Sequence, residues 1–582
     1  MTNTYYMRIS HMITVKDHQT GRLFDPWDYL GPKRRKLLEN SWAGVFRTYL
    51  FGKLPVSKVA RHFNDQLGRP SKELYTAIGA LILQQLHDLS DPDVTRALAF
   101  NIDWHYALDI TDESDNGKYL SERTLRTYRK ILMDEHLDKL LFETLTDTLI
   151  KTFGVDTSKQ RLDSTIIRSN MRKLGRIRIC AATIRKFLKK LRRTHKELYD
   201  SQLTTDFIDR YLAKNADSLF SQVKPSETSK TLQDVGDDLV YLIELFRPYG
   251  TVCALPEYRL LERVLHEQFT VMGTGPETRV TVKPPKEVSS DSLQNPSDST
   301  AGYDAHKGSG YQAQIMETYQ TDKHDKKTPD LITYVEVEPA NKPDVYGLLP
   351  AIDATSKRGC CPDEVVCDTQ YGSDDNVLTA NTSDVEVTAP TKGTAPASAT
   401  CLNDFAFDPD THAVIACPEG HAPVWSGHTV KTRLKATFAK ATCGDCPRRG
   451  SCPVYHGKKA SYLYYDETKL RIAHRRAAEQ TPEFKDKYRW RAGIEGTNSH
   501  LKSDVGAGRL RVRGLAAVCF AVILKALGLN ILRCARALKT RCLSHVTALI
   551  SLRFSLPNLL CSLYDKILTL LANNTRFFCF GR

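Results

Sequence analysis

Strand-like runs separated by helical segments and closed by one two-faced helix predict an α/β fold, a sheet preceded by a helical N-terminal region. The first of the observations behind this is a helical pattern over residues 32–149. The second is a set of strand-like stretches at 160–168, 310–319, 331–338 and 365–368. The third is residues 488–502, whose polar and apolar positions segregate at helical spacing.

Length and composition bound the reading. With 582 residues, 41% of them hydrophobic, the chain can bury several cores and is not a disordered protein. The formal net charge of +14 favours a polyanionic partner. Eleven Lys or Arg and no acid fall between residues 172 and 196. Such a run serves either as a solvated helix face or as a contact for a nucleic acid backbone. No charged-then-apolar leader precedes a cleavage site, so secretion is not expected, and the fifteen cysteines read as thiols or metal ligands. The apolar stretch 515–538 is interrupted by Lys525, Asn530 and Arg533, which predicts a buried helix and not a membrane span.

In chain order, residues 73–86 repeat Leu, Ile and Ala at helical spacing after a break at Gly68 and Pro70. Ser121 caps a basic helix that is either a DNA recognition helix or a packing helix, because the turn before it, at 111–116, is long and acidic. Residues 160–168 alternate as a strand with Asp163 in the middle. A basic helical segment fills about 172–268. Strands then resume, and the run at 365–368 ends on Asp368 and a turn through Gly372. Segments 286–299 and 376–400, rich in Ser, Thr, Pro and Asp, read as exposed loops.

Residues 488–502 carry the most information. At 100° per residue, Tyr488, Arg491, Glu495 and Lys502 fall within an arc of about 60°, with Trp490, Ile494 and Leu501 opposite. One face can pack while the other offers a hydroxyl, two cations and a carboxylate, a set suited to a metal and phosphates together. A solvated surface is the alternative, but the Glu–Lys pairing at offset four that such a face favours is missing.

Asp163, Asp368 and Glu495 could converge at the carboxyl edge of one sheet. Three hard oxygen donors suit Mg²⁺ or Mn²⁺, and two such ions roughly 4 Å apart serve in-line displacement at phosphorus. Taken singly, each acid is more often structural, as an Asp at a strand end that caps the next turn. A second cluster, Cys417 with His421 four residues on, then Cys443, Cys446 and Cys452, has the donor count of a tetrahedral Zn²⁺ site. Zinc would hold together a loop-rich insertion with few apolar runs; unligated thiols are the other reading.

The order Tyr-x2-Arg-x3-Glu-x6-Lys at 488–502 is similar to the signature of bacterial insertion-sequence transposases of the DDE type. Leu162-Asp163-Ser164-Thr165 resembles their first-aspartate motif and Cys367-Asp368 through Ser373 their second. Further resemblance lies at Gly68–Pro70, 169–175, 303–312 and 512–515, so that it covers most of residues 32–538. Gln370 departs from the small residue usual there. The resemblance implies a ribonuclease-H-like mixed-sheet catalytic core with a helical N-terminal domain and helical or irregular insertions. It implies that Asp163, Asp368 and Glu495 hold two divalent ions, and that Tyr488, Arg491 and Lys502 bind DNA near the cut.

The domains expected are a helical region at 1–150, which could bind the element's ends, and the first part of the core at 155–375, with a basic insertion at about 172–300. A linker and Cys-rich insertion at 376–484, a final catalytic helix and buried helix at 485–540, and a tail at 541–582 complete the chain. The expected partner is double-stranded DNA, as terminal inverted repeats and target, bound by a homodimer in the bacterial cytoplasm, with no membrane. Two other functions fit the same residues: a catalytically silent, transposase-derived DNA-binding protein, and a metal-dependent nuclease that cuts without joining.

Overall fold

The computed structural model describes residues 12–555 apart from 19, 21, 65, 67–69, 274–277, 323–324, 394–399 and 431–432. Gly68 and Arg69 of the N-terminal motif, and 556–582 of the tail, lie outside the described residues.

The N-terminal region is helical. Its central helix α1 (Leu74–Leu86) starts at Glu73, whose carboxylate accepts from the amides of Tyr75 and Thr76, and its side chains are nearly all buried. Ser121 caps α2 (Glu122–Asp134) by accepting from the Thr124 amide, and α3 (Leu137–Phe153) ends on Gly154 at φ +62°.

A mixed sheet follows. Its strands are β1 (Lys159–Ile167), β2 (Gly302–Asp304), β3 (Gly308–Thr318), β4 (Ile332–Pro339), β5 (Glu364–Cys367) and β6 (Glu386–Thr388). The order across the sheet is β4–β3–β1–β5–β6, with β2 hairpinned onto the start of β3. The first three strands run antiparallel, while β5 and β6 run parallel to β1. One face is covered by the helix Leu348–Ser356, which Leu162, Met316, Tyr334, Val365 and Cys367 meet in a core of their own.

Between β1 and β2 stands the basic insertion. Its helices α4 (Arg176–Thr194), α5 (Thr228–Phe246) and α6 (Pro256–Gln268) close round Phe187, Leu239, Phe246 and Leu261. Much of the basic run is engaged internally. Arg176 donates to Gln268 and Lys283, Arg185 pairs with Asp217, and Lys186 donates to the Pro296 carbonyl. Lys189, Arg192, Arg193 and Lys196 remain exposed towards the far end.

Two segments read as loops are built into the structure. In 286–299, Ser292, Leu293, Asn295 and Asp298 are buried, and Asp298 accepts from Ser169 and from the Gly514 amide. The stretch 376–400 supplies the edge strand β6 and the end of the helix Asp374–Asn381. In both segments exposed residues such as Glu287, Asp291 and Asp384 alternate with buried ones, whose polar groups satisfy neighbouring backbone and side chains.

The Cys-rich insertion also differs from the loop-rich expectation. It holds a four-stranded antiparallel sheet, β7 (Trp425–Val430), β8 (Arg433–Phe438), β9 (Tyr455–His456) and β10 (Ser461–Tyr465), ordered β7–β8–β10–β9. Leu434, Ala436, Phe438, Leu463 and Tyr465 point to one side and form its core with Phe405 and Val454.

The predicted buried helix is present and long: Leu515–Ser555, preceded by Gly493–Ser503, with which it makes contact. It is long and apolar enough by composition to cross a membrane, yet it packs on α1, α3 and β4. Each polar interruption has a built partner. Lys525 donates to Asp88 (2.8 Å) and to the Val505 carbonyl, Asn530 exchanges hydrogen bonds with both backbone groups of Ile332, and Arg533 meets Glu317 (2.8 Å).

Candidate active site

The sheet register explains why two distant aspartates become neighbours. In the parallel pairing of β1 with β5, Leu162 lies opposite Cys367 and both enter the same apolar core. The next residue on each strand is therefore Asp163 and Asp368, side by side, both aimed at the opposite face.

Residues 488–502 supply the rest, but not as one helix. The helix Pro482–Tyr488 passes into a 3-10 turn at Arg489–Ala492 before the helix Gly493–Ser503 begins. Ile494 and Leu501 are buried as expected, whereas Trp490 is only half-buried and stacks on Tyr319 at 5.9 Å. The turn allows the Trp490 carbonyl to accept from Arg161, an interaction a continuous helix would compete for.

Arg491 joins the three carboxylates. Its guanidinium lies 3.4 Å from Asp163, 3.9 Å from Asp368 and 3.2 Å from Glu495. Asn498 adds an amide donor to Asp163 at 3.3 Å. Asp163 is nearly buried, and burial raises its pKa; Arg491 opposes this, while Asp368 and Asp344 push it further up. Glu495 is largely exposed. Tyr488 stacks on Phe484, and its hydroxyl is raised by burial and by the nearby Asp368 and Asp163, against Arg491. Lys502 is lowered by burial and by Arg168, with Asp163 acting the other way. The three carboxylates thus share the Arg491 guanidinium, and Tyr488 and Lys502 lie within electrostatic reach of Asp163.

Two supports were not anticipated. Glu317, fully buried on β3, takes a charge-assisted hydrogen bond from Arg161 (2.7 Å), one from Arg533 (2.8 Å) and one from Thr497 (2.6 Å). It ties β1, the Glu495 helix and the C-terminal helix together; burial opposes its charge, but Arg533 and Arg161 hold its pKa below the usual range. Under the sheet, Lys307 reaches Asp344 (2.8 Å) and Ser164 (3.4 Å), and Gln314 bonds Asp344 (3.1 Å), Glu338 (3.0 Å) and the Tyr371 hydroxyl. Asn498 was within reach of the sequence, since it falls about 20° outside the polar arc of 488–502. The Glu317 and Lys307 contacts span distant strands and had no local signal.

The second-aspartate loop is fixed by the helix Glu467–Ala478. Arg475 donates to the carbonyls of Gly372 and Ala389, and Arg471 to Asp374 (2.8 Å). A side chain at Gly372 would meet the Pro390 carbonyl at 2.8 Å, so the turn needs glycine there.

Three carboxylates directed at one cationic group suit a hard divalent ion. Arg491 Nε and Asn498 Oδ1 beside them are buried without hydrogen-bond partners, which leaves capacity for a ligand. In the insertion, Cys417, Cys443, Cys446 and Cys452 line one cavity with His421. Cys443 and Cys452 are raised by burial and by the other thiols, so the sulfurs are near one another, and all are free. Among the described residues, however, no three His, Cys, Asp or Glu side chains stand close enough together to hold an ion as placed.

Comparison with known proteins adds the class. Residues 416–535 match the family described as Transposase DDE domain, and residues 39–130 match Transposase domain (DUF772). The first match includes Glu495, Tyr488, Arg491, Lys502 and the four cysteines; neither includes Asp163 or Asp368. No curated protein matches the chain. A solved piggyBac transposase synaptic complex with hairpin DNA aligns over 86% of this chain and 75% of that one, at 9% identity and a TM-score of 0.29. A mixed sheet with a carboxylate site and a transposase domain at each side defines an enzyme acting on DNA. The function these domains support is that of a DNA transposase.

Proposed function

We propose that the protein cuts DNA at the ends of an insertion sequence and joins the freed strand to target DNA, with Asp163, Asp368 and Glu495 as metal-holding carboxylates. The observation that carries this reading is their shared contact with Arg491. The strand order β4–β3–β1–β5–β6, three antiparallel and two parallel, supports a ribonuclease-H-like core. Domains of this class use divalent cations, and Mg²⁺ or Mn²⁺ fits oxygen donors best.

Bound cations supply Lewis acidity at the scissile phosphate and at the attacking oxygen. Asp163 and Asp368, fixed by the β1–β5 register, and Glu495, fixed through Thr497 and Glu317, hold them. Arg491 and Lys502 take DNA phosphates, and Tyr488 packs beside the backbone near the cut. The substrate is double-stranded DNA, as inverted repeats and target, and two ends call for a homodimer on DNA.

Asp163→Asn, Asp368→Asn and Glu495→Gln, which keep shape, are each expected to lower cleavage on the order of a thousandfold while end binding persists. Cleavage of a terminal-repeat duplex with Mg²⁺ and a gel-shift assay read the two properties. Retained cutting by any one variant rejects its assignment, and absence of joined products from the wild type reduces the protein to a nuclease. For the insertion we propose structural Zn²⁺ on Cys417, Cys443, Cys446 and Cys452, with the expectation of about one zinc per chain by elemental analysis after chelator-free purification. Protein free of zinc would end that proposal.

A further inference from the structure

We infer that the outer face of the β7–β10 sheet is a stacking surface for single-stranded DNA; the inference rests on the DNA transposase reading. The strands bury Leu434, Ala436, Phe438, Leu463 and Tyr465 on one side, so alternation turns Trp425, Lys435, Thr437, Tyr462 and Tyr464 to the other. Register then places them in rows. Trp425 lies opposite Thr437, Thr437 opposite Tyr462, and Tyr462 opposite Tyr455; in the next row Gly427 lies opposite Lys435, which lies opposite Tyr464.

Large rings are left in the open on this face. Tyr455 is 66% exposed, Tyr464 53% and Trp425 46%. The Tyr462 and Tyr464 rings are 6.1 Å apart, and the Lys435 ammonium sits 4.4 Å from one centroid and 5.9 Å from the other. The Trp425 indole lies beside Gly427, 3.5 Å from where a Cβ would stand, an ordinary van der Waals distance. Aromatic rings in rows with a cation between them match the π-faces and phosphates of unpaired nucleotides.

Charge selects the same partner. Segments 425–440 and 453–465 contain no Asp or Glu, while Arg433, Lys435, Lys440, Lys458 and Lys459 stand along the strands and their ends. A second protein surface has no need of an acid-free face, whereas a polyanion does. A duplex keeps its bases paired, so the surface fits a strand parted from its complement.

The test measures fluorescence anisotropy of the full-length protein with a labelled single-stranded oligonucleotide and with the duplex of the same sequence. Combined Tyr455→Ala and Tyr464→Ala is expected to weaken single-strand binding about 25-fold or more while duplex binding changes less than about threefold. Tyr455→Phe with Tyr464→Phe, which keeps both rings and guards against misfolding, is expected to bind as wild type does. Lys435→Gln should flatten the salt dependence for the single strand by roughly 0.7 in slope. Unchanged single-strand affinity in the alanine variant overturns the inference, as does a variant that alters only self-association. Wild-type protein that binds the single strand but no duplex would refute the transposon-end reading and leave this one standing.

Discussion

Arg491 is a single cation answering to three acids, and its fork geometry matters as much as its charge. Arg491→Lys keeps the charge but cannot span the three partners, so cleavage is expected to fall about ten- to a hundredfold with less effect on end binding, measured by single-turnover cutting and gel shift. Glu317 acts one layer further out. Glu317→Ala leaves Arg161 and Arg533 buried without their partner, with an expected loss of about 3–5 kcal/mol in urea denaturation. At this scale the sequence revealed residues whose chemistry shows in local spacing: Arg491 and Glu495, four apart, are in contact, and Arg491 also meets Asp163 and Asp368. It did not reveal Glu317 or Asp344, which are ordinary strand and loop acids until folding brings Arg161, Arg533 and Lys307 to them.

Among the elements, the break at Arg489–Ala492 corrects the single expected helix. Gly493 follows that break where a Cβ would lie 2.0 Å from the Arg161 guanidinium, itself held by Glu317. Gly493→Ala improves helix propensity, yet the collision is expected to win, with a net loss of about 1 kcal/mol and reduced cleavage. Thermal melting and a cleavage assay check both parts; a more stable and fully active variant would contradict the role given to this junction. The strands of the Cys-rich insertion were missed for a different reason. Leu434, Ala436 and Phe438 alternate with Arg433, Lys435 and Thr437, but the strands are short and the core they form is small, so period two was hard to separate from irregular chain. The basic insertion shows the opposite case: its helices were plain in the sequence, while the internal partners of Arg176, Arg185 and Lys186 were not.

Across the whole molecule, one apolar core runs from the N-terminal helices through β3 and β4 to Leu515–Ser555, so the N-terminal region and the sheet should unfold together. Scanning calorimetry is expected to show one transition for this body, while the basic insertion, with a core of its own, is free to melt apart from it. The N-terminal end of this body depends on pH. Burial works against the charge of Asp109, but His18, Arg47 and Arg22 prevail and hold its carboxyl at about 2, below the ordinary 3.8. A depressed acid stabilises fully above its unfolded value and loses that contribution as pH falls through its folded value. Stability supplied by Asp109 should therefore be complete above about pH 4 and vanish towards pH 2, worth about 2 kcal/mol. Asp109→Asn should be weaker by that amount at neutral pH and show a flatter acid limb in urea melts.

The helix Leu515–Ser555 also fixes when the protein becomes competent. Its residues seal α1, α3 and β4, and Arg533 completes the charges around Glu317 that hold the Glu495 helix in position. A copy cut short before Leu515 therefore lacks the cation that, through Glu317, steadies that helix. Such a copy keeps the register that sets the two aspartates side by side but loses part of the support that sets the glutamate against them.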